Sequence, residues 1–107
     1  MKRVGQIIGV RPERIEEYER LHAEARPGVL EAIRTANIRN YSIFRHEQQL
    51  FAYFEYVGDD YAADIARMAA DPIVKEWWKL TDAMQEPLPD RQPGSWWKTI
   101  PEVFHTY

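Results

Sequence analysis

Residues 4–10 of the chain read Val-Gly-Gln-Ile-Ile-Gly-Val and indicate the architecture most clearly. This run is rich in strand-forming residues, and both alternating sets of positions carry apolar side chains, which is typical of a strand covered on both faces. Residues 50–57, Leu-Phe-Ala-Tyr-Phe-Glu-Tyr-Val, show the same pattern. The sequence therefore predicts a sheet in which two strands need apolar cover on both sides.

The segments around these strands predict an alternation of strands and helices. Apolar residues recur at helical spacing from Ile15 to Ile33, and Pro27 interrupts this helix because its ring removes a backbone N–H. The other predicted elements are a strand at 38–45, helical pieces at 61–70 and 72–84, and a closing extended segment at 96–107. The resulting order β-α-β-β-α-β is the ferredoxin-like plan, an α+β fold with one four-stranded antiparallel sheet.

This plan leaves one face of the sheet without cover. Two helical regions can cover only one face of a four-stranded sheet, yet the first and third strands are apolar on both. A second copy packed sheet to sheet is the economical solution, and it predicts a homodimer that forms a dimeric α/β barrel. A wide ligand cavity could account for part of the second face.

Length and composition narrow the classes of function. The 107 residues, 45% of them hydrophobic, predict one domain spanning residues 1–107. The chain has no Cys, which excludes disulfides and thiol catalysis. Its 14 basic and 17 acidic side chains are spread without blocks and give a net charge of −3, so we expect no nucleic-acid partner. The apolar runs are shorter than the ~20 residues of a membrane span. We expect no membrane partner and a cytoplasmic location.

His22 is the sharpest candidate for chemistry. It lies within the apolar stripe of the first helix, four residues after Tyr18, so both side chains face the core. An imidazole held in a dry pocket beside a phenol is a suitable pair for proton transfer near neutral pH. The alternative is a core histidine that is hydrogen-bonded to a tyrosine hydroxyl and has no catalytic role.

Aromatic residues supply the other candidates. Trp77 and Trp78 are adjacent on a predicted helix and point about 100° apart, so at least one ring should be in the core while the other could line a pocket. Tyr41 could direct its hydroxyl into the same cavity. His105 shares the predicted closing strand with Phe104 and Tyr107, but no third ligand stands at metal spacing, and we expect no metal site.

Four segments in the same order and spacing make the chain similar to the L-rhamnose mutarotase family. The matching segments are Glu16-Glu17-Tyr18 with His22, Asn40-Tyr41-Ser42-Ile43, Glu76-Trp77-Trp78-Lys79 and Glu102-Val103-Phe104-His105. The resemblance runs nearly end to end. It implies a small homodimer of ferredoxin-like fold that interconverts the α and β anomers of a 6-deoxy sugar and needs no cofactor.

The resemblance also implies roles for individual residues. His22 would be the proton donor, and the sugar would be contacted by Tyr18, Tyr41, Trp77 and Trp78. Our hypothesis is that His22 gives and takes the proton at the ring oxygen, while Tyr18 or a bound water assists at the anomeric oxygen. Two predicted pocket rims depart from the family pattern: residues 26–28 are Arg-Pro-Gly, where Trp-Pro-Glu is common, and residues 88–93 are Leu-Pro-Asp-Arg-Gln-Pro. L-fucose or a related sugar therefore stays a rival to L-rhamnose.

Two functions of other classes stay open. Dimeric α/β barrels also include small monooxygenases, so an oxygenase is one alternative. A sugar-binding module without catalysis is the other, since such a module would bind both anomers without speeding their exchange. The paired Trp96 and Trp97 could close over the cavity or support the dimer.

Overall fold

The fold is built on one antiparallel sheet. The computed structural model describes all 107 residues. The long strands are β1 (Lys2–Val10), β2 (Ile38–His46) and β3 (Gln49–Tyr56), with β1 and β2 on either side of β3. Two short strands, β4 (Gln85–Glu86) and β5 (Lys98–Ile100), pair antiparallel with successive parts of β1. They form the two halves of the fourth strand, which gives the predicted ferredoxin-like α+β architecture.

Four helices connect the strands. They are α1 (Ile15–Ala23), preceded by a 3₁₀ turn at Pro12–Arg14, α2 (Pro27–Thr35), α3 (Tyr61–Ala70) and α4 (Pro72–Asp82). Pro27 is the first residue of α2, so the predicted interruption of the first helical region is confirmed. The side chains of Asp60 and Asp71 accept hydrogen bonds from the first turns of α3 and α4. None of the four helices is long and apolar enough to cross a membrane.

The main core lies between the sheet and the helices. Ile8 pairs with Leu50 across β1 and β3, and both side chains are almost fully buried. Tyr18 of α1 and Met84, just after α4, pack into the same cluster. Tyr18, which the sequence predicts to lie in the apolar stripe of the first helix, is therefore part of the hydrophobic core.

The opposite face of the sheet has no helical cover. Ile7 pairs with Phe51, which in turn pairs with Phe44 of β2, so these side chains lie side by side on that face. Phe44 is 65% exposed, and Ile7 and Phe51 are only half-buried. The predicted apolar character of both faces is thus confirmed in the sheet itself.

The end of the chain differs from the prediction of a closing strand over residues 96–107. Only Lys98–Ile100 pairs with β1, and residues 101–107 form an exposed segment without regular structure. Pro101 has no N–H to donate to β1, so the ladder stops there. His105, with Phe104 and Tyr107, therefore lies outside any strand, and the prediction of a shared closing strand is wrong. The other half of the fourth strand comes from Gln85–Glu86, which lies between the predicted helical piece at 72–84 and the predicted extended segment at 96–107.

Candidate active site

The last turns of α1 place Tyr18 and His22 in direct contact. The two residues are four positions apart, so they lie one above the other on the same helix face. Their ring centroids are 4.1 Å apart. Tyr18 is 3% exposed, whereas His22 is half-buried, so the histidine lies between the core and the surface.

A hydrogen bond to the backbone fixes the tautomer of His22. Its Nδ1 lies 2.8 Å from the carbonyl oxygen of Tyr18. A carbonyl oxygen can only accept, so Nδ1 must carry the hydrogen. In the neutral ring, Nε2 therefore holds a free lone pair and is the atom that can take up a proton.

Trp77 of α4 packs against the other side of His22. The two rings meet edge to face, with centroids 5.2 Å apart and an interplanar angle of 66°. Trp77 is 6% exposed and Trp78 is half-buried. The expectation that at least one of the two indoles belongs to the core is confirmed, and that same indole also contacts the histidine.

Tyr41 lies on the helix-facing side of the sheet because β2 contains a bulge. Asn40 has a positive φ of 52°, and the strand register shifts between Arg39 and Ser42. The Tyr41 ring packs against Phe54, with centroids 5.5 Å apart. The structure thus brings Tyr18, His22 and Trp77 into ring contact, while the aromatic neighbour of Tyr41 is Phe54.

The local environment keeps the His22 imidazole and the tyrosine hydroxyls neutral. Burial lowers the pKa of His22 below its ordinary value of 6.5, and the hydrogen bond to the Tyr18 carbonyl opposes part of this effect. Burial raises the pKa of the Tyr18 hydroxyl, and desolvation raises the pKa of Tyr41 to about 12. At neutral pH the site therefore presents an imidazole that accepts a proton and phenols that donate one.

Sequence reasoning missed two hydrogen bonds and one carboxyl group near Tyr18. Gln85 donates a hydrogen bond from Nε2 to the Tyr18 hydroxyl at 3.1 Å, and Trp96 donates from Nε1 to Gln85 Oε1 at 2.8 Å. Asp82, at the end of α4, is half-buried, and burial raises the pKa of its carboxyl group. A lone Gln in a segment that reads as a loop carries no sequence signal for such a role.

Arg26 lies at the predicted rim beside Trp77. Its guanidinium is 5.8 Å from the centroid of the Trp77 ring and 3.7 Å from a carboxylate oxygen of Glu76. The cation therefore covers part of an indole that also contacts His22. This arrangement fits the departure from the family pattern at residues 26–28, since the side chain at position 26 reaches the aromatic wall.

A cavity of about 350 Å³ lies elsewhere, beside β5 and the C-terminal segment. Tyr53, Tyr61 and Phe104 contribute to its lining, together with the ion pair between Arg3 and Glu102. No histidine lines it. We place the candidate active site at His22, where an imidazole is in contact with a phenol and an indole. No group of three or more His, Asp or Glu side chains is arranged to hold a metal ion.

Fold and site together define an α+β protein of ferredoxin-like architecture with a histidine enclosed between aromatic rings. The family model of L-rhamnose mutarotase matches residues 3–106, and the chain belongs to that family. A curated L-rhamnose mutarotase from Ligilactobacillus salivarius is 36% identical over 96% of this chain and 95% of its own length. An L-fucose mutarotase from Xanthomonas campestris pv. campestris is also 36% identical, over 84% of this chain and 74% of its own length.

Solved structures support the same architecture. The crystal structure of an L-rhamnose mutarotase from Formosa agariphila superimposes with a TM-score of 0.78 and covers 100% of both chains at 23% identity. An antibiotic biosynthesis monooxygenase superimposes with a TM-score of 0.60 at 20% identity, over 96% of this chain and 99% of that one. At these identities the structures report on the fold alone. The sequence relatives at 36% identity are mutarotases, which favours the mutarotase family over the oxygenase alternative.

The backbone hydrogen bond predicts one tautomer of His22. We expect the neutral ring to carry its hydrogen on Nδ1, because the Tyr18 carbonyl has no proton to offer. Long-range ¹H–¹⁵N correlation spectra of the uniformly labelled protein distinguish the two tautomers by their nitrogen shifts. A neutral ring protonated mainly on Nε2 would contradict this assignment.

Proposed function

We propose that this protein interconverts the α and β anomers of a 6-deoxy aldose, either L-rhamnose, L-fucose or a related sugar, by opening and closing the pyranose ring. The observation that carries the proposal is the 2.8 Å contact of His22 Nδ1 with the Tyr18 carbonyl oxygen, which leaves Nε2 as the proton acceptor of a ring that packs against the Tyr18 phenol. Membership of the L-rhamnose mutarotase family supports the reaction class. The proposal treats residues 1–107 as one mutarotase domain, and the cytoplasmic location stays a prediction.

Ring opening needs one proton acceptor and one proton donor. A base takes the proton of the anomeric hydroxyl while an acid protonates the ring oxygen, and the bond between the anomeric carbon and the ring oxygen breaks. Rotation about the first carbon–carbon bond presents the other face of the aldehyde. The reverse proton transfers then close the ring to the other anomer, so the two groups return to their starting states.

The protonation states favour a particular assignment. Neutral His22 accepts the anomeric proton on Nε2, and the Tyr18 hydroxyl donates to the ring oxygen. The opposite assignment, with His22 donating to the ring oxygen during opening, requires His22 to be an imidazolium before the reaction begins, whereas burial favours the neutral ring in that state. This assignment differs from the hypothesis drawn from the sequence, which placed His22 at the ring oxygen and Tyr18 or a bound water at the anomeric oxygen.

The rate acceleration that the proposal requires of His22 and Tyr18 is moderate. If the uncatalysed exchange has a rate on the order of 10⁻⁴ s⁻¹, the barrier is roughly 23 kcal/mol. A positioned acid and base supply a factor of about 10²–10⁴. Orientation of the sugar against the Trp77 and Trp78 rings and stabilisation of the developing charge add to this factor. These contributions bring exchange into the range of a working enzyme.

Replacing His22 tests its catalytic role. We expect His22→Ala to lose most of the acceleration, by about 10²-fold or more, because the variant lacks the base that takes the proton of the anomeric hydroxyl. Saturation-transfer NMR of L-rhamnose, L-fucose and other aldoses measures anomer exchange directly. His46→Ala removes an exposed imidazole at the end of β2 and serves as the matched control.

The same panel separates the rival functions. Near-normal exchange in a folded His22→Ala variant would overturn the role of this residue. Sugar binding by the unaltered protein without faster exchange would indicate a binding module. No effect on any aldose, with a chromophore bound to the purified protein, would favour an oxygenase.

The pH dependence tests which form of His22 acts. Because the neutral imidazole is the proposed base, the catalysed rate should fall as the pH is lowered through the pKa of His22, which lies below 6.5. The experiment measures exchange between pH 5 and pH 8 and subtracts the rate without protein. His22→Ala should lack this transition. A catalysed rate that rises as the pH falls would instead assign the imidazolium as the acid.

The uncovered face of the sheet supports a homodimer. We propose that two copies pack these faces together, which buries Phe44, Phe51 and Ile7 and removes the exposed apolar surface from water. A symmetric contact of this kind places each copy's Phe44 in the interface. The dimer would then complete the α/β barrel that the sequence predicted.

A charge on this face should separate the two copies. We expect the unaltered protein to have about twice the 12.7 kDa mass of one chain and Phe44→Glu to shift it toward the single-chain mass, because like charges would meet across a symmetric interface. Light scattering after size-exclusion chromatography measures the mass. Leu30→Glu on α2, where the side chain is 53% exposed on the helical side, is the control and should leave the mass unchanged. A Phe44→Glu protein of unchanged mass would place the interface elsewhere.

A further inference from the structure

Two successive hydrogen bonds connect the loop between β4 and β5 to the hydroxyl of Tyr18. Trp96 Nε1 donates to Gln85 Oε1 at 2.8 Å, and Gln85 Nε2 donates to the Tyr18 hydroxyl oxygen at 3.1 Å. Gln85 is 3% exposed, so its amide exchanges little with solvent. Neither Gln85 nor Trp96 is among the residues that the family resemblance marks for a role.

The chemistry of the three groups fixes the direction of each bond. An indole N–H can only donate, so Trp96 holds the oxygen of the Gln85 amide on its side. The amide nitrogen must then face Tyr18, where it donates. The phenolic oxygen of Tyr18 is thereby an acceptor from Gln85, and its own hydrogen has to point in another direction.

We propose that Gln85 and Trp96 are positioning residues that hold the Tyr18 hydroxyl as a proton donor toward the sugar. The inference rests on the proposed mutarotase function, in which Tyr18 donates to the ring oxygen. Without Gln85, the Tyr18 hydrogen could turn toward any nearby acceptor. With Gln85 in place, that hydrogen is kept away from the amide and available for the substrate.

The backbone around Gln85 keeps the amide in place. Gln85 pairs with Val10, and Glu86 pairs with Gly9, so β4 is held against β1. A Cβ on Gly9 would lie only 2.8 Å from the backbone oxygen of Glu86, which shows how closely the two strands approach there. Met84 is buried in the core directly before Gln85. The backbone of Gln85 is therefore held in place, and from there its side-chain amide reaches both Tyr18 and Trp96.

Gln85→Glu is the sharpest test because it keeps the shape and reverses the hydrogen bond. A carboxylate can only accept, so Tyr18 would donate its hydrogen to Glu at position 85 and lose it for the sugar. We expect kcat for anomer exchange to fall about 10- to 100-fold, which reaches the lower end of the factor of about 10²–10⁴ that acid–base catalysis contributes, while KM changes less than about threefold. Gln48→Glu, the same change in the exposed turn after β2, is the control.

Two further readouts separate positioning from a general structural effect. In a Tyr18→Phe background the Gln85→Glu change should cost less than about twofold, because the hydroxyl that it redirects is already absent. The ratio of Gln85→Glu activity to that of the unaltered protein should also recover as the pH is lowered. A protonated carboxyl at position 85 can again donate to Tyr18 while it accepts from Trp96.

The outcomes distinguish a failure of the positioning role from a failure of the proposed function. An unaltered kcat in Gln85→Glu, or the same loss in the Tyr18→Phe background, would overturn the positioning role even if the unaltered protein is an active mutarotase. Absence of exchange by the unaltered protein would instead refute the proposed function. If circular dichroism shows that Gln85→Glu does not fold, Trp96→Phe replaces it. That variant frees the amide to turn and should lower kcat about 3- to 10-fold only when Tyr18 is present.

Discussion

The hydrogen bond from His22 Nδ1 to the backbone carbonyl of Tyr18 is the contact on which the proposed chemistry depends. It joins residues one helical turn apart, so α1 alone creates it. Because a carbonyl cannot donate, this bond decides which ring nitrogen is free. A histidine in the other tautomer would offer an N–H where the proposed reaction needs a lone pair. The direction of the proposed proton transfer thus depends on the backbone of one helix.

The same side chains serve both the core and the site. Tyr18 is part of the main hydrophobic cluster, and Trp77 is nearly as buried, yet both contact His22. Their packing removes water from one side of the imidazole, which lowers its pKa and keeps it neutral. In a chain of 107 residues the core is small, so the site has to share its walls with the groups that stabilise the fold.

Much of the fold follows from local patterns. The helical spacing before and after Pro27 predicted α1 and α2, and the alternating apolar residues predicted β1 and β3. The pairing of Tyr18 with His22 also follows from spacing, since residues four apart on a helix must be neighbours. The family resemblance pointed to the same residues. Residue spacing could not predict the tautomer of His22, because the tautomer depends on the position of the Tyr18 carbonyl oxygen.

Local sequence patterns predicted the helices, the three long strands and the pairing of Tyr18 with His22, because these depend on contacts within a few positions along the chain. The hydrogen-bond partner of the Tyr18 hydroxyl follows only from the folded chain. Gln85 reaches it across 67 positions, from a strand of two residues that has no sequence pattern of its own. The end of the fourth strand at Pro101 was likewise decided by pairing with β1, since a proline stops a ladder only where a neighbouring strand is present. Contacts between distant segments depend on how the whole chain packs, and local periodicity does not contain that information.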